Sequence, residues 1–318
     1  MTRRLPLPPD TKRNVMYHHY SYAEALAASR KINWQVEDLI GDGKRLDFAK
    51  PFMPETLART GSLRFLDSEQ QRTLNQIRGH GYLYIFGLVE EFILPFVMDH
   101  VRDRLHDGDL STRAFLGFAA EEAKHIDLFK RFRKEFCAGF GTECQVIGPP
   151  ADIAHAVLSH HPLAVALAIL QIEWMTQRHY IDSIKGDEDL DPQFKNLLKH
   201  HWMEEAQHAT LDTLMTETLA AACSGPDIED AVEEYFEIGA LIDGGLKQQV
   251  LFDREALSQA TGRRFSEAER AEFLTIQHQA QRWTFLGSGM SHRNFLATLR
   301  DLRPGVEERV KKAALAFS

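Results

Sequence analysis

Two Glu-x-x-His motifs, Glu122-Ala123-Lys124-His125 and Glu205-Ala206-Gln207-His208, each set a carboxylate and an imidazole three residues apart. On a helix that spacing puts both side chains on one face. Phe115, Phe118, Phe129 and Phe132 continue the face of the first motif, and Leu198 and Met215 that of the second, so both pairs point toward an apolar interior. Chance yields about one such motif in a chain of this composition, so the surroundings must carry the argument. Each motif is preceded by a lone acid in an unusually apolar run: Glu90 in Leu88-Val89-Glu90-Glu91-Phe92-Ile93, and Glu173 in Leu170-Gln171-Ile172-Glu173-Trp174-Met175. From Glu90 to Glu122 is 32 residues, and from Glu173 to Glu205 is again 32.

An equal offset in two successive helical hairpins lets the four acids meet at one level of an antiparallel bundle. Buried carboxylates repel one another and lose hydration, so such a cluster needs protons or cations, and metal is the economical answer. One Glu from each of two helices plus a Glu-x-x-His from each of two others is the ligand set of ferritin-like di-iron or di-manganese carboxylate proteins. Carboxylates with one imidazole per ion suit iron or manganese, whereas structural zinc favours thiolates, and no cysteine here is suitably spaced. Between Glu90 and Glu91 as the first ligand, the helical wheel favours Glu90, which lies nearly opposite the polar face of Asp99, His100 and Asp103. His201, Glu205 and His208 form one stripe, so a third imidazole can reach the cluster, although His200 beside it leaves an interface role open. Asp212 continues the stripe as an acceptor for an imidazole N–H. His179 reads as core or as support for the ligands, and His18, His19, His160 and His161 have no acidic partner at useful spacing.

The elements that must position these residues are helices. The 20 glycines and 12 prolines collect into a few short clusters separated by long stretches, and no period-two alternation bounded by turn residues is present. The class is all-α, a ferritin-like four-helix bundle with an N-terminal arm and additional C-terminal helices. We read a single domain: an arm over 1–66 with a helical patch near Tyr22 to Arg30, a metal-binding bundle over 67–224, and accessory helices over 225–318. The first long helix starts at Asp67 or Ser68 and reaches about Leu105, bending near residue 80 at Gly79 and Gly81, with Pro95 as another kink point. The second runs from Ser111 to Phe140, the third from Asp152 to Lys185, and the fourth from Asp191-Pro192 to Ser224. Beyond Pro226 two or three helices are expected on the outside, one at the capping box Ser266-x-x-Glu269 and one from Ser291 to Leu302.

The stripe His201-x-x-x-Glu205-x-x-His208 resembles the hallmark of the p-aminobenzoate N-oxygenase type of di-iron oxygenases, an added histidine in the last metal-bearing helix. The resemblance covers the four central helices, about Asp67 to Ser224, and more loosely the arm around Trp34-Gln35-Val36-Glu37-Asp38-Leu39. It implies two iron ions, with manganese as the other option, held by Glu90, Glu122, His125, Glu173, His201, Glu205 and His208. It also implies an O2-dependent monooxygenase that takes a primary, aromatic amine to the hydroxylamine, nitroso or nitro level. Two other functions compete: a di-iron C–H hydroxylase or desaturase on a small or carrier-tethered substrate, whose usual pattern lacks His201, and a non-catalytic ferritin-like iron-binding protein.

Composition narrows the partners. A net charge of -9 gives no basic footprint for nucleic acid or an anionic membrane surface. The longest wholly apolar run, Leu163 to Leu170, is too short to span a bilayer. Cys137, Cys144 and Cys223 are odd in number and lack CxxC spacing, which points to free thiols and a cytoplasmic setting. The segment Met1 to Pro6 is basic with no apolar stretch behind it, so no secretory signal is expected. No flavin, nicotinamide or iron-sulfur motif is present, so electrons must come from an external reductase or small donor. The extended arm suggests a homodimer.

Overall fold

Capping residues and prolines set the boundaries of the architecture. The computed structural model describes residues 20–317 apart from positions 42 and 107. The Met1 to Pro6 segment, Pro8, Pro9, His18 and His19 lie outside the described residues. The arm carries three short helices, α1 (Tyr22–Ser29), α2 (Val36–Leu39) and α3 (Glu55–Ala58). Four long elements follow around a short one: α4 (Ser68–Val101), α5 (Leu110–Phe140), α6 (Pro150–Leu158), α7 (Pro162–His179) and α8 (Pro192–Ala220). The chain then adds α9 (Gly225–Thr261), α10 (Glu267–Arg282), α11 (Ser288–Met290), α12 (Arg293–Leu302) and α13 (Val306–Ala314). Among the described residues there is no β-strand, only an isolated bridge between Gly41 and Lys44. The protein is an all-α bundle.

Side-chain caps start the long helices. Asp67 accepts from the Glu69 and Gln70 amides, Asp109 from Thr112, and Asp191 from Phe194, each satisfying donors with no partner inside the helix. Helices α4 and α5 pair as one hairpin and α7 and α8 as another, with α5 against α8 closing the bundle. Phe115, Phe118, Phe129, Phe132 and Phe136 from α5 are fully buried between them. Burying each such ring stabilises the fold by roughly 1.5–3 kcal/mol. Helices α1 and α2 lie over α5 and α8, whereas α9 lies over α4 and α7.

Several boundaries refine the sequence expectation. Helix α4 runs unbroken through residue 80. Gly79 serves close packing, since a Cβ there would sit 2.9 Å from Phe52 Cβ. The stretch from Asp152 to Lys185 is two helices, because Pro162 disfavours helical backbone at His161 and opens α7 at its first position. Helix α7 then passes into a π-helical turn, Tyr180–Ile184. Helix α9, 37 residues from Gly225, is the third of the helices expected there, and the short α11 and α13 add to them. The segment Ser68–Arg104 is long and apolar enough to cross a membrane, but 67% of its most apolar window is buried, which is the mark of a core helix.

Candidate metal centre

Helices α4, α5 and α8 deliver acidic and histidine side chains to one buried cluster. Glu90, His125, His201 and Glu205 form one group, and Glu122, His125, Glu205 and His208 a second. In each, one donor atom per residue lies within 4.8 Å of all the others. The groups share His125 and Glu205, so the cluster has the layout of two adjacent cation positions. All six residues are at most 3% exposed. Glu91 instead points outward to an ion pair with Lys130 at 2.7 Å, which decides the first position in favour of Glu90. His200 also turns away, its Nδ1 lying 2.8 Å from the Asn196 carbonyl, and leaves His201 as the third imidazole.

Distances inside the cluster are those of closely packed charges. His201 Nε2 is 2.7 Å from Glu205 Oε1 and 3.1 Å from Glu90 Oε1. His125 Nδ1 is 3.1 Å from Glu205 Oε1, and His208 Nδ1 is 2.8 Å from Glu122 Oε1. Burial pushes the imidazoles of His125 and His208 toward the neutral form. The carboxylates more than offset it: Glu204, Glu205 and Glu90 act on His125, and Glu205 and Glu121 on His208, so both end well above the usual imidazole range. Burial also opposes ionisation of Glu205, but the imidazoles of His201 and His208 hold it well below the usual carboxylate range.

Glu173 stands outside both groups. It is buried and hydrogen-bonded to Glu205, and burial followed by the Glu205 charge pushes its carboxyl well up. The two neighbouring carboxylates repel in this buried setting, and a shared proton or a cation relieves that repulsion. Asp212 corrects an expectation. It accepts no imidazole N–H, because Glu121 takes the Nε2 of His208, and both its buried oxygens lack a hydrogen-bond partner. Burial is the main force that pushes its carboxyl well up.

Sequence reasoning missed the groups that aim the imidazoles. His125 on α5 reaches Glu204 of α8 through Nε2 at 2.8 Å, and His208 on α8 reaches Glu121 of α5 through Nε2 at 2.8 Å. An ionised carboxylate only accepts, so each bond fixes the proton on Nε2 and turns Nδ1 into the cluster. The arm locks this crossed pair. Ser29 Oγ of α1 donates to Glu121 Oε1 at 2.5 Å. Lys124 pairs with Glu204 and lies 3.9 Å over the Trp34 ring, which stacks on His125. The signal was present as a doublet, Glu121-Glu122 and Glu204-Glu205, one residue ahead of each ligand position.

The donor set fits cations. Glu90 Oε2, both oxygens of Glu122, His125 Nδ1, Glu173 Oε2 and Glu205 Oε1 are buried without an aligned hydrogen bond. Orphaned buried oxygens of this number are costly unless something positive satisfies them. His179 lies outside the cluster and bridges Tyr82 Oη to Ser288 Oγ at 3.0 Å each. Burial, then Arg178, lowers it to about 3, so it is a neutral relay in the core.

On the α4 and α7 side lies a cavity of about 330 Å³ between α4, α6, α7 and α9. Val89 and Ile172, the neighbours in sequence of Glu90 and Glu173, line it. Phe86 and Phe285 also line it, and the Phe86 ring meets the His201 ring edge-on with centroids 5.4 Å apart.

No protein-family model and no curated protein sequence matches this chain. Among solved structures it is similar to R2-like ligand-binding oxidases. One variant with aerobically reconstituted Mn/Fe cofactor is 14% identical, with 86% of this chain and 92% of that one covered and a TM-score of 0.43. Another with anaerobically reconstituted Mn/Fe cofactor is 12% identical over 81% and 92%, with a TM-score of 0.42. A variant with aerobically reconstituted Fe/Fe cofactor is 14% identical over 82% and 91%, with a TM-score of 0.38. The chemistry of the site therefore has to be read from its own residues.

Proposed function

We propose that the chain is a two-iron, O2-dependent oxygenase that oxidises the nitrogen of a primary aromatic amine to the hydroxylamine, nitroso or nitro level. The observation that carries this reading is His201, whose Nε2 enters the cluster beside Glu90 and Glu205 and makes the donor set richer in nitrogen than two Glu-x-x-His motifs alone. Glu90, Glu122, His125, His201, Glu205 and His208 would hold the two ions, joined by Glu173 from its place beside Glu205, with manganese as the other metal the donors suit. When bound, the ions supply the reduction of O2 and delivery of one of its oxygen atoms.

The first step balances as amine, O2, two electrons and two protons giving hydroxylamine and water. The electrons come from an external reductase or small donor. The chain's own part is positional. Glu121 and Glu204 keep the imidazoles aimed, the arm helices α1 and α2 cover the outer side, and the aromatic wall of Phe86, Phe129 and Phe118 keeps water from the cluster. Glu173 is placed to give up its shared proton when cations replace it.

One observation favours a second reading, a C–H hydroxylase or desaturase: the cavity beside the site is almost wholly apolar. Iron-loaded protein supplied with reductant, O2 and an aniline separates the two by mass spectrometry of the product. N-hydroxyl or nitroso products, lost in His201→Ala, are expected; ring- or chain-hydroxylated products alone would overturn the N-oxygenase reading.

A further inference from the structure

We infer that the cavity between α4, α7 and α9 is the substrate chamber, and that it selects an uncharged, lipophilic arylamine over a carboxylate-bearing one such as an aminobenzoate. This rests on the metal-centre reading above and assigns the substrate class that reading leaves open.

The position of the cavity is the first argument. The α5 and α8 side of the cluster is covered by the arm, with Trp34, Lys124 and Ser29 packed over the imidazoles and their carboxylates. On the α4 and α7 side open volume reaches the wall of the site, where one aromatic ring, Phe86, lies between it and His201. The volume is at the lower end of the range for small-molecule chambers, roughly 300–1,000 Å³.

The second argument is charge. Among the lining residues Gln248 is the single polar side chain, and none is charged. A carboxylate entering this space would lose its hydration with no cation or aligned donor pair to replace it. An alkylammonium meets the same penalty with the opposite sign. An aniline is uncharged at neutral pH, keeps its nitrogen lone pair, and presents a flat face to the Phe86 and Phe285 rings, whose centroids are 6.1 Å apart. The other end of the chamber opens at the exposed side chains of Leu241 and Gln248. A ring held at Phe86 therefore directs its nitrogen toward the cluster and its alkyl substituent along the apolar wall toward this mouth.

The test is calorimetric binding to the full-length, ferrous-loaded protein under anaerobic conditions, with 4-butylaniline and 4-aminobenzoate as probes. We expect 4-butylaniline to bind at least about tenfold more tightly than 4-aminobenzoate. Ile242→Trp fills the chamber and should weaken 4-butylaniline binding at least about tenfold with iron content unchanged. Leu241→Arg, at the exposed mouth, should shrink the preference by supplying the missing cation. Equal affinity for the two probes, or 4-butylaniline binding unaltered by both substitutions, would overturn the assignment. Repeating the titration on metal-free chain separates the two ideas: failure to load iron sinks the metal-centre reading, while the preference and its loss in Ile242→Trp are read without it.

Discussion

On the α5 and α8 side of the cluster, the outward nitrogens of His125 and His208 are held by buried carboxylates, and the arm seals the surface above them. On the α4 and α7 side, Val89 and Ile172 turn away from Glu90 and Glu173 into an apolar cavity that opens to solvent at Leu241. The same four-helix frame is thus electrically saturated on one side and nearly free of polar groups on the other. A rigid, charge-rich side fixes imidazole tautomers and metal affinity, and a neutral side leaves volume that a substrate can fill. Substitutions on the two sides should accordingly move different observables.

The largest effect belongs to Glu205, the one carboxylate common to both groups. Glu205→Ala should lower metal content from about two ions per chain to near none, read by elemental analysis after reconstitution. Retention of both ions would show that the shared carboxylate holds neither. Next comes the crossed pair. Glu204→Gln or Glu121→Gln keeps the shape but weakens the grip on His125 or His208, and metal affinity should fall about 10–100-fold. An unchanged affinity there would reduce the crossed bonds to packing.

The pH dependence has opposite signs in the two forms. In metal-free protein His125 and His208 titrate well above the usual imidazole range, so their pairing contributes stability that is full below that range and is lost as pH rises through the elevated values. Metal must displace those protons, so apparent affinity should fall as pH drops, about tenfold per unit for each proton displaced. Thermal melts of the metal-free and loaded forms across pH, with metal titrations alongside, check both signs. Parallel profiles would mean that the imidazoles are not the groups displaced. The smallest effect is outside the cluster: Glu91→Gln, which removes an exposed ion pair with Lys130, should change stability by less than about 1 kcal/mol and metal content not at all.

Much of the metal cluster was legible in the sequence because helix geometry converts spacing directly into facing. The repeated 32-residue offset put Glu90 and Glu122 on one level with Glu205, and the His201, Glu205, His208 stripe needed only the 3.6-residue turn. Glu121 and Glu204 were not legible in the same way. One position along a helix turns a side chain by roughly 100°, which takes both off the ligand stripe, and only the packing of α5 on α8 brings each to the other helix's imidazole. Asp212 failed for the related reason that its stripe was right but the imidazole it was meant to hold was already taken. The cavity was invisible because it arises from α9, a 37-residue helix whose crossing over α4 and α7 depends on long-range packing, and the unbroken α4 hides the close contact of Gly79 with Phe52.

The most direct measurement is metal stoichiometry after anaerobic reconstitution of the full chain with ferrous iron and removal of unbound ions. About two irons per chain are expected, with Glu205→Ala near zero. Essentially no bound metal in the parent protein would contradict the account, leaving a buried cluster of proton-sharing acids and imidazoles.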